Sequence, residues 1–216
     1  MQNIHIATII IIVANVLISL KGFNDFSFFE KYKFNIGGIR RGEQIRMFSA
    51  GFLHVDFTHL LFNMLTLYFF ANVVIFNVGV SKFILVYLLS LLTGNILSFV
   101  MHKEEYYYSA VGASGAVMGV LYAAILLYPD MSLYLFFIPI PIPAWLFGIM
   151  YLGYSIYGMK KRLGNIGHDA HIGGAIAGYI LTIAFVPSLI QTHLWLIALL
   201  ALPIVVLFVL YKMGKL

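Results

Sequence analysis

Ser114 stands in the small-residue run Gly112-Ala113-Ser114-Gly115, and His171 opens Ala170-His171-Ile172-Gly173-Gly174; both are polar residues in otherwise apolar surroundings. A neutral imidazole beside a seryl hydroxyl takes its proton as the oxygen attacks a carbonyl, then returns it to the leaving amine. That is the chemistry of acyl transfer. Gly115 and Gly119 are four apart, as are Gly174 and Gly178, so each pair clears one helix face for close backbone approach. His171 lies three residues before Gly174 and Ser114 immediately precedes Gly115, so packing the two strips together brings hydroxyl and imidazole into one place. Asp169, two positions before His171, points to another side of the helix, and the spacing therefore predicts a dyad.

Acyl transfer also needs donors for the oxyanion that develops on the attacked carbonyl. His59 and Asn63 share a helix face within Thr58-His59-Leu60-Leu61-Phe62-Asn63 and are the best side-chain donors. The backbone N–H of Ser114, at a helix start, adds a third. The plainer readings are a small residue at a helix contact for Ser114 and interhelical hydrogen bonds for His59 and Asn63. His54 is expected to be structural, His168 to cap or solvate its helix, His5 and His193 to be interfacial, and His102 to be a loop residue without a role.

These residues must be positioned by helices in lipid. With 62% hydrophobic and 10% charged residues and a mean hydropathy of +0.97, 216 residues carry too little polar surface for a water-soluble globule. The expected class is an all-α polytopic membrane protein. The net charge of +5 comes from loop clusters and reads as headgroup contact rather than nucleic-acid binding. The absence of cysteine rules out disulfides, thiolate metal ligands and a thiol nucleophile.

A helix needs about 20 residues to cross the hydrocarbon, and seven spans can be drawn, at 4–20, 58–78, 82–101, 114–128, 143–157, 169–186 and 192–211. The first lacks the flanks of a cleaved signal and is read as a retained span. The fourth covers only about 22 Å, so Ser114 is expected below the membrane surface, with the loop 102–113 dipping into a pocket among the other helices. The connection 21–56 carries Lys31, Lys33, Arg40, Arg41 and Arg46 among Phe26, Phe28 and Phe29 and is expected to lie on the membrane surface. The alternating prolines of 138–143 predict extended backbone. A single membrane-embedded domain is expected, with a core at about 4–187 and an extra helix, interrupted by Pro203, at about 192–211.

Three segments, His54-Val55-Asp56-Phe57-Thr58-His59-Leu60-Leu61-Phe62-Asn63, Gly112-Ala113-Ser114-Gly115 and Ala170-His171-Ile172-Gly173-Gly174-Ala175-Ile176-Ala177-Gly178, resemble in order the signature segments of the rhomboid intramembrane serine proteases. The resemblance covers roughly 46–178. It implies a six-helix core that cleaves other proteins within or near their transmembrane helices, without metal or cofactor. It matches Ser114 to the nucleophile, His171 to the base, His59 and Asn63 to the oxyanion donors, and His54 to a supporting histidine, with Gly112, Gly115, Gly174 and Gly178 shaping the site. The segment beginning at Trp145 matches a helix that guards lateral access of substrate, and 160–167 a loop capping the site. The chain departs from the family pattern at Ile45-Arg46, where many members have Trp-Arg, at Ile75 in place of an acidic residue, and at Met118 in place of an aromatic packed on the imidazole.

Rival readings use the same residues. His54 with His59 and His168 with His171 faintly resemble the ligand pairs of membrane di-iron enzymes, which need more histidines or carboxylates than are present. A catalytically silent relative would bind transmembrane helices without cutting them, but such proteins usually lack the Ser or the His. Ion-coupled transport is disfavoured by the lack of acidic residues within spans. The resemblance points the active site to the extracytoplasmic side of a cell (inner) membrane, whereas the basic loops beside it point to the cytoplasm. Substrate identity and oligomeric state are not legible.

Overall fold

The computed structural model describes residues 4–134, 140–161, 163 and 166–215. Among these described residues, seven long helices account for the seven expected spans. They are α1 (Ile6–Asn24), α5 (Phe57–Val78), α6 (Val80–Met101), α7 (Ser114–Leu127), α8 (Ala144–Lys161), α9 (His168–Phe185) and α11 (Leu194–Lys212). Four of them, α1, α5, α6 and α11, are long and apolar enough to cross a membrane. Helix α7 is shorter and is enclosed by the others, with every residue from Gly115 to Leu126 buried. The chain is an all-α polytopic membrane protein.

The helices sort their faces as lipid demands. On α1 the buried positions are small or polar (Ala7, Thr8, Asn15, Ser19, Gly22), while Ile6, Ile10, Val13 and Leu17 face outward. Apolar contact gains nothing between helices when lipid is equally apolar, so close packing and hydrogen bonds join them instead. The Asn15 amide accordingly donates to the Tyr87 hydroxyl of α6 at 3.1 Å. Gly79, with φ of 83°, makes the left-handed turn that separates α5 from α6.

The centre is a contact of α6, α7 and α9 built on missing side chains. A Cβ on Gly174 would collide with the Gly115 carbonyl oxygen, and one on Gly178 with that of Gly119. A Cβ on Gly94 of α6 would sit 2.6 Å from the Ala170 carbonyl oxygen of α9. The two glycine strips therefore face each other, as their spacing implies.

The connection between α1 and α5 is a folded unit. It contains α2 (Phe26–Tyr32), strand β1 (Phe34–Asn35), α3 (Ile36–Arg40), α4 (Arg46–Ser49) and a 3-10 turn at Ala50–Phe52. Phe34, Ile36, Ile39 and Ala50 form a second small core. Arg46, counted among surface cations from sequence, is buried; it donates to Glu43 Oε2 at 2.5 Å and to the carbonyls of Glu30 and Lys33 at 2.7 and 3.0 Å. Strand β1 pairs antiparallel with β2 (Ser109–Ala110), so this unit holds the chain leading into Ser114.

Strand β3 (Ser132–Leu133) pairs with β4 (Ile142–Pro143), in keeping with extended backbone at the last prolines; residues 135–139 lie outside the described residues, as does part of the expected loop 160–167. A short helix, α10 (Leu189–Thr192), leads into α11. Helix α11 continues through Pro203 rather than stopping there, and packs on α8, where Trp145 and Trp195 meet edge to face at 6.2 Å.

Candidate active site

Each candidate side chain owes its position to a helix end or a helix contact. Asp56 caps α5, accepting from the His59 N–H at 2.7 Å, and so sets the first turn that carries His59. Asn63 follows one turn later on the same face. It is buried, and its Nδ2 has no hydrogen-bond partner among the described residues. An unpartnered buried amide donor is costly and calls for a reason.

Gly112 precedes α7 with φ of 135°, a conformation glycine adopts without strain, and its N–H donates to Ala50 O at 3.0 Å. A Cβ there would lie 2.7 Å from His59 Cε1, 2.9 Å from its Nε2 and 3.6 Å from Ser114 Oγ. The His59 ring and the Ser114 hydroxyl thus flank the same point. Ser114 then begins α7.

His54 fixes the other side of this turn through a chain of bonds whose directions can be read. Its Nε2 accepts from the Ala113 N–H at 3.4 Å, which leaves the hydrogen on Nδ1; Nδ1 donates to Ser19 Oγ at 2.8 Å, and Ser19 donates to Phe52 O at 2.9 Å. Burial, together with the neighbouring His59, pushes the His54 pKa down to about 3. Both ring nitrogens are engaged, so neither is free for a metal ion.

His171 is buried on α9. Its Nδ1 is 2.8 Å from the hydroxyl of Tyr151 on α8, with ring centroids 5.8 Å apart. Sequence reading overlooked Tyr151, which is one of 14 tyrosines and carries no distinguishing spacing. Met118, four residues after Ser114, is buried in the wall of the site.

Ser114, His171, His59, Asn63, Gly112 and Tyr151 all line one cavity of about 1260 Å³. The cavity extends between α5 and α8, past Phe62, Leu65, Thr66 and Phe69 on one wall and Phe147 on the other. Phe69 is 64% exposed, so this side of the cavity opens where lipid would lie.

Asp169 is buried outside this cavity. Its carboxylate is 3.5 Å from His102 Nε2, in a separate cleft shared with Glu105, Tyr108 and His168. Two expectations are corrected here. His102, read as a loop residue without a role, stacks on Tyr108 with centroids 3.6 Å apart and lies between Asp169 and Glu105. His168, read as a cap or solvated residue, is buried against Gly158, where a side chain would leave it no room.

A family model, Rhomboid domain, matches residues 41–188. Among curated relatives, RHOMBOID-like protein 12, mitochondrial, of Arabidopsis thaliana is 28% identical over 187 residues, covering 80% of this chain and 55% of that protein. Rhomboid protein 1, mitochondrial, of Saccharomyces cerevisiae is 30% identical over 140 residues, 63% of this chain and 40% of the relative. Rhomboid protease GluP of Bacillus subtilis is 35% identical over 147 residues, 68% of this chain and 27% of the relative. The chain therefore spans about half or less of the length of these relatives. With the matched region containing α5 to α9 and every candidate side chain that lines the cavity, the chain belongs to the rhomboid family.

Proposed function

We propose that the protein is an intramembrane serine endopeptidase that hydrolyses peptide bonds within or near transmembrane segments of other membrane proteins. The observation that carries this reading is the meeting, in one cavity, of Ser114 on α7, His171 on α9 and the unpartnered amide of Asn63 on α5. A substrate helix passes between α5 and α8 and unwinds locally. Unwinding in lipid is costly because each freed backbone group needs a partner, so segments with Gly, Ala or Pro near the scissile bond are favoured.

Ser114 Oγ attacks the carbonyl carbon while Nε2 of His171 takes the hydroxyl proton. The oxyanion is held by Asn63 Nδ2, His59 and the Ser114 N–H. The C–N bond then breaks as His171 returns the proton to the leaving amine, and a water deprotonated by His171 hydrolyses the acyl-enzyme. No metal, nucleotide or organic cofactor takes part. His54 supports the turn before Ser114, and Gly112, Gly115, Gly174 and Gly178 make the room that the constellation needs. Residues 1–216 act as one membrane-embedded domain, with 4–187 as the catalytic core and 192–211 as an added helix. The location proposed is the cell (inner) membrane, with the cavity opening to the extracytoplasmic side; tags on the two ends and protease access test that orientation.

Labelling of the purified protein with a fluorophosphonate probe tests the reading. Wild type takes up the probe and Ser114→Ala does not; a wild type that stays unlabelled, or a Ser114→Ala variant that still cuts a model transmembrane substrate, overturns it.

A further inference from the structure

A base is useful only in the right tautomer. Imidazole carries one hydrogen when neutral, and only the nitrogen without it can take a proton from serine. In many hydrolases a carboxylate on the far nitrogen settles the matter. Here the nearest carboxylate in sequence, Asp169, is turned toward His102 in the other cleft. The group on Nδ1 of His171 is the Tyr151 hydroxyl at 2.8 Å.

A phenol can donate or accept, and the two cases have opposite consequences. If Tyr151 donated, Nδ1 would be the lone-pair nitrogen, already occupied by the phenol, and Nε2 would hold the hydrogen, leaving no free nitrogen to deprotonate Ser114. If Tyr151 accepts, the hydrogen sits on Nδ1 and Nε2 is the base. Resting on the endopeptidase reading above, we propose that Tyr151 is the positioning residue of His171: its phenolic oxygen accepts from Nδ1–H, fixing the imidazole in the tautomer that activates Ser114.

The surroundings hold the phenol for this task. Phe147, one turn earlier on α8, stacks on the Tyr151 ring with centroids 5.8 Å apart and planes inclined by 30°. The His171 ring is tilted by 32° to that of Tyr151, with centroids 5.8 Å apart. When His171 takes the serine proton, its Nδ1–H bond to the phenolic oxygen becomes charge-assisted and strengthens as the transition state forms. Tyr151 acts through His171 and does not touch the reacting carbonyl in this scheme.

The test is nitrogen NMR of protein labelled with 15N-histidine, at a pH where the imidazoles are neutral, with the His171 signals assigned by their loss in His171→Ala. The wild type should show the hydrogen of His171 on Nδ1. In Tyr151→Phe the Nε2–H form should appear, and kcat on a model transmembrane substrate should fall about tenfold, the worth of one neutral hydrogen bond, with KM within twofold. A wild-type His171 carrying its hydrogen on Nε2 overturns the proposal whether or not the variant folds. So does a folded Tyr151→Phe protein with an unchanged tautomer or an unchanged kcat. The tautomer is read without turnover, so a failure of the endopeptidase reading, seen as cleavage by Ser114→Ala, is distinguished from a failure of the role given to Tyr151.

Discussion

The backbone of Gly174 approaches that of Gly115 so closely that a Cβ on Gly174 would fall on the Gly115 carbonyl oxygen. This contact sets the distance between α7 and α9, and with it the separation of the residues just beyond, Ser114 and His171.

Gly174→Ala should therefore destabilise the protein at or above the upper end of the roughly 1–3 kcal/mol typical of overpacking, because the obstacle is backbone and cannot swing aside. Gly153→Ala on α8 meets nothing within 4 Å among the described residues and should be neutral or slightly stabilising. Thermal unfolding of the two variants in the same detergent checks the contrast; equal melting temperatures would contradict the packing described.

Asn63→Leu should lower kcat by about 10²–10³, the usual effect of losing an oxyanion donor, while leaving the melting temperature unchanged or higher. The stability expectation follows from the amide, whose Nδ2 is buried without a partner among the described residues, so an apolar replacement removes a cost. A variant that unfolds readily would show instead that Asn63 serves the bundle.

His54 makes stability depend on pH in a definite direction. Its folded pKa is lowered to about 3 from the ordinary 6.5, so between those values the unfolded chain binds a proton that the folded one does not. Its contribution is fully present above pH 6.5 and declines as pH falls toward 3, by at most about 1.4 kcal/mol per unit. Thermal melts across that window should show a gentler acid-side decline for His54→Asn than for wild type, from a lower starting value; parallel curves would contradict the assignment.

Asp169→Asn should label with fluorophosphonate within a few-fold of the wild-type rate, since the carboxylate faces His102 and not the Ser114 cavity. A loss as deep as that of Ser114→Ala would restore a triad.

The long apolar runs and the paired glycines were legible in the sequence because both are local patterns: a span announces itself by length, and a glycine strip by its period of four. The grouping of His59 and Asn63 was legible for the same reason, as neighbours on one helix face. Tyr151, Ser19, the half-buried contacts of His102 and the burial of His168 were not, because each depends on which distant helix packs against it. Arg46 was misread with the surface charges since nothing in its neighbours tells that it donates to main-chain carbonyls of a folded loop. The seventh helix was visible, but Pro203 was given a breaking power that the bundle overrides.

The chain of bonds from Ala113 through His54 to Ser19 begins beside the proposed nucleophile and ends on α1, well upstream of the region shared with the family model. A trimmed protein beginning at residue 41 would keep every group proposed to meet the substrate, yet would leave the His54 hydrogen without its acceptor and the approach to Ser114 anchored on one side only. The first helix is thus a buttress of the chemistry as much as a tether in the bilayer.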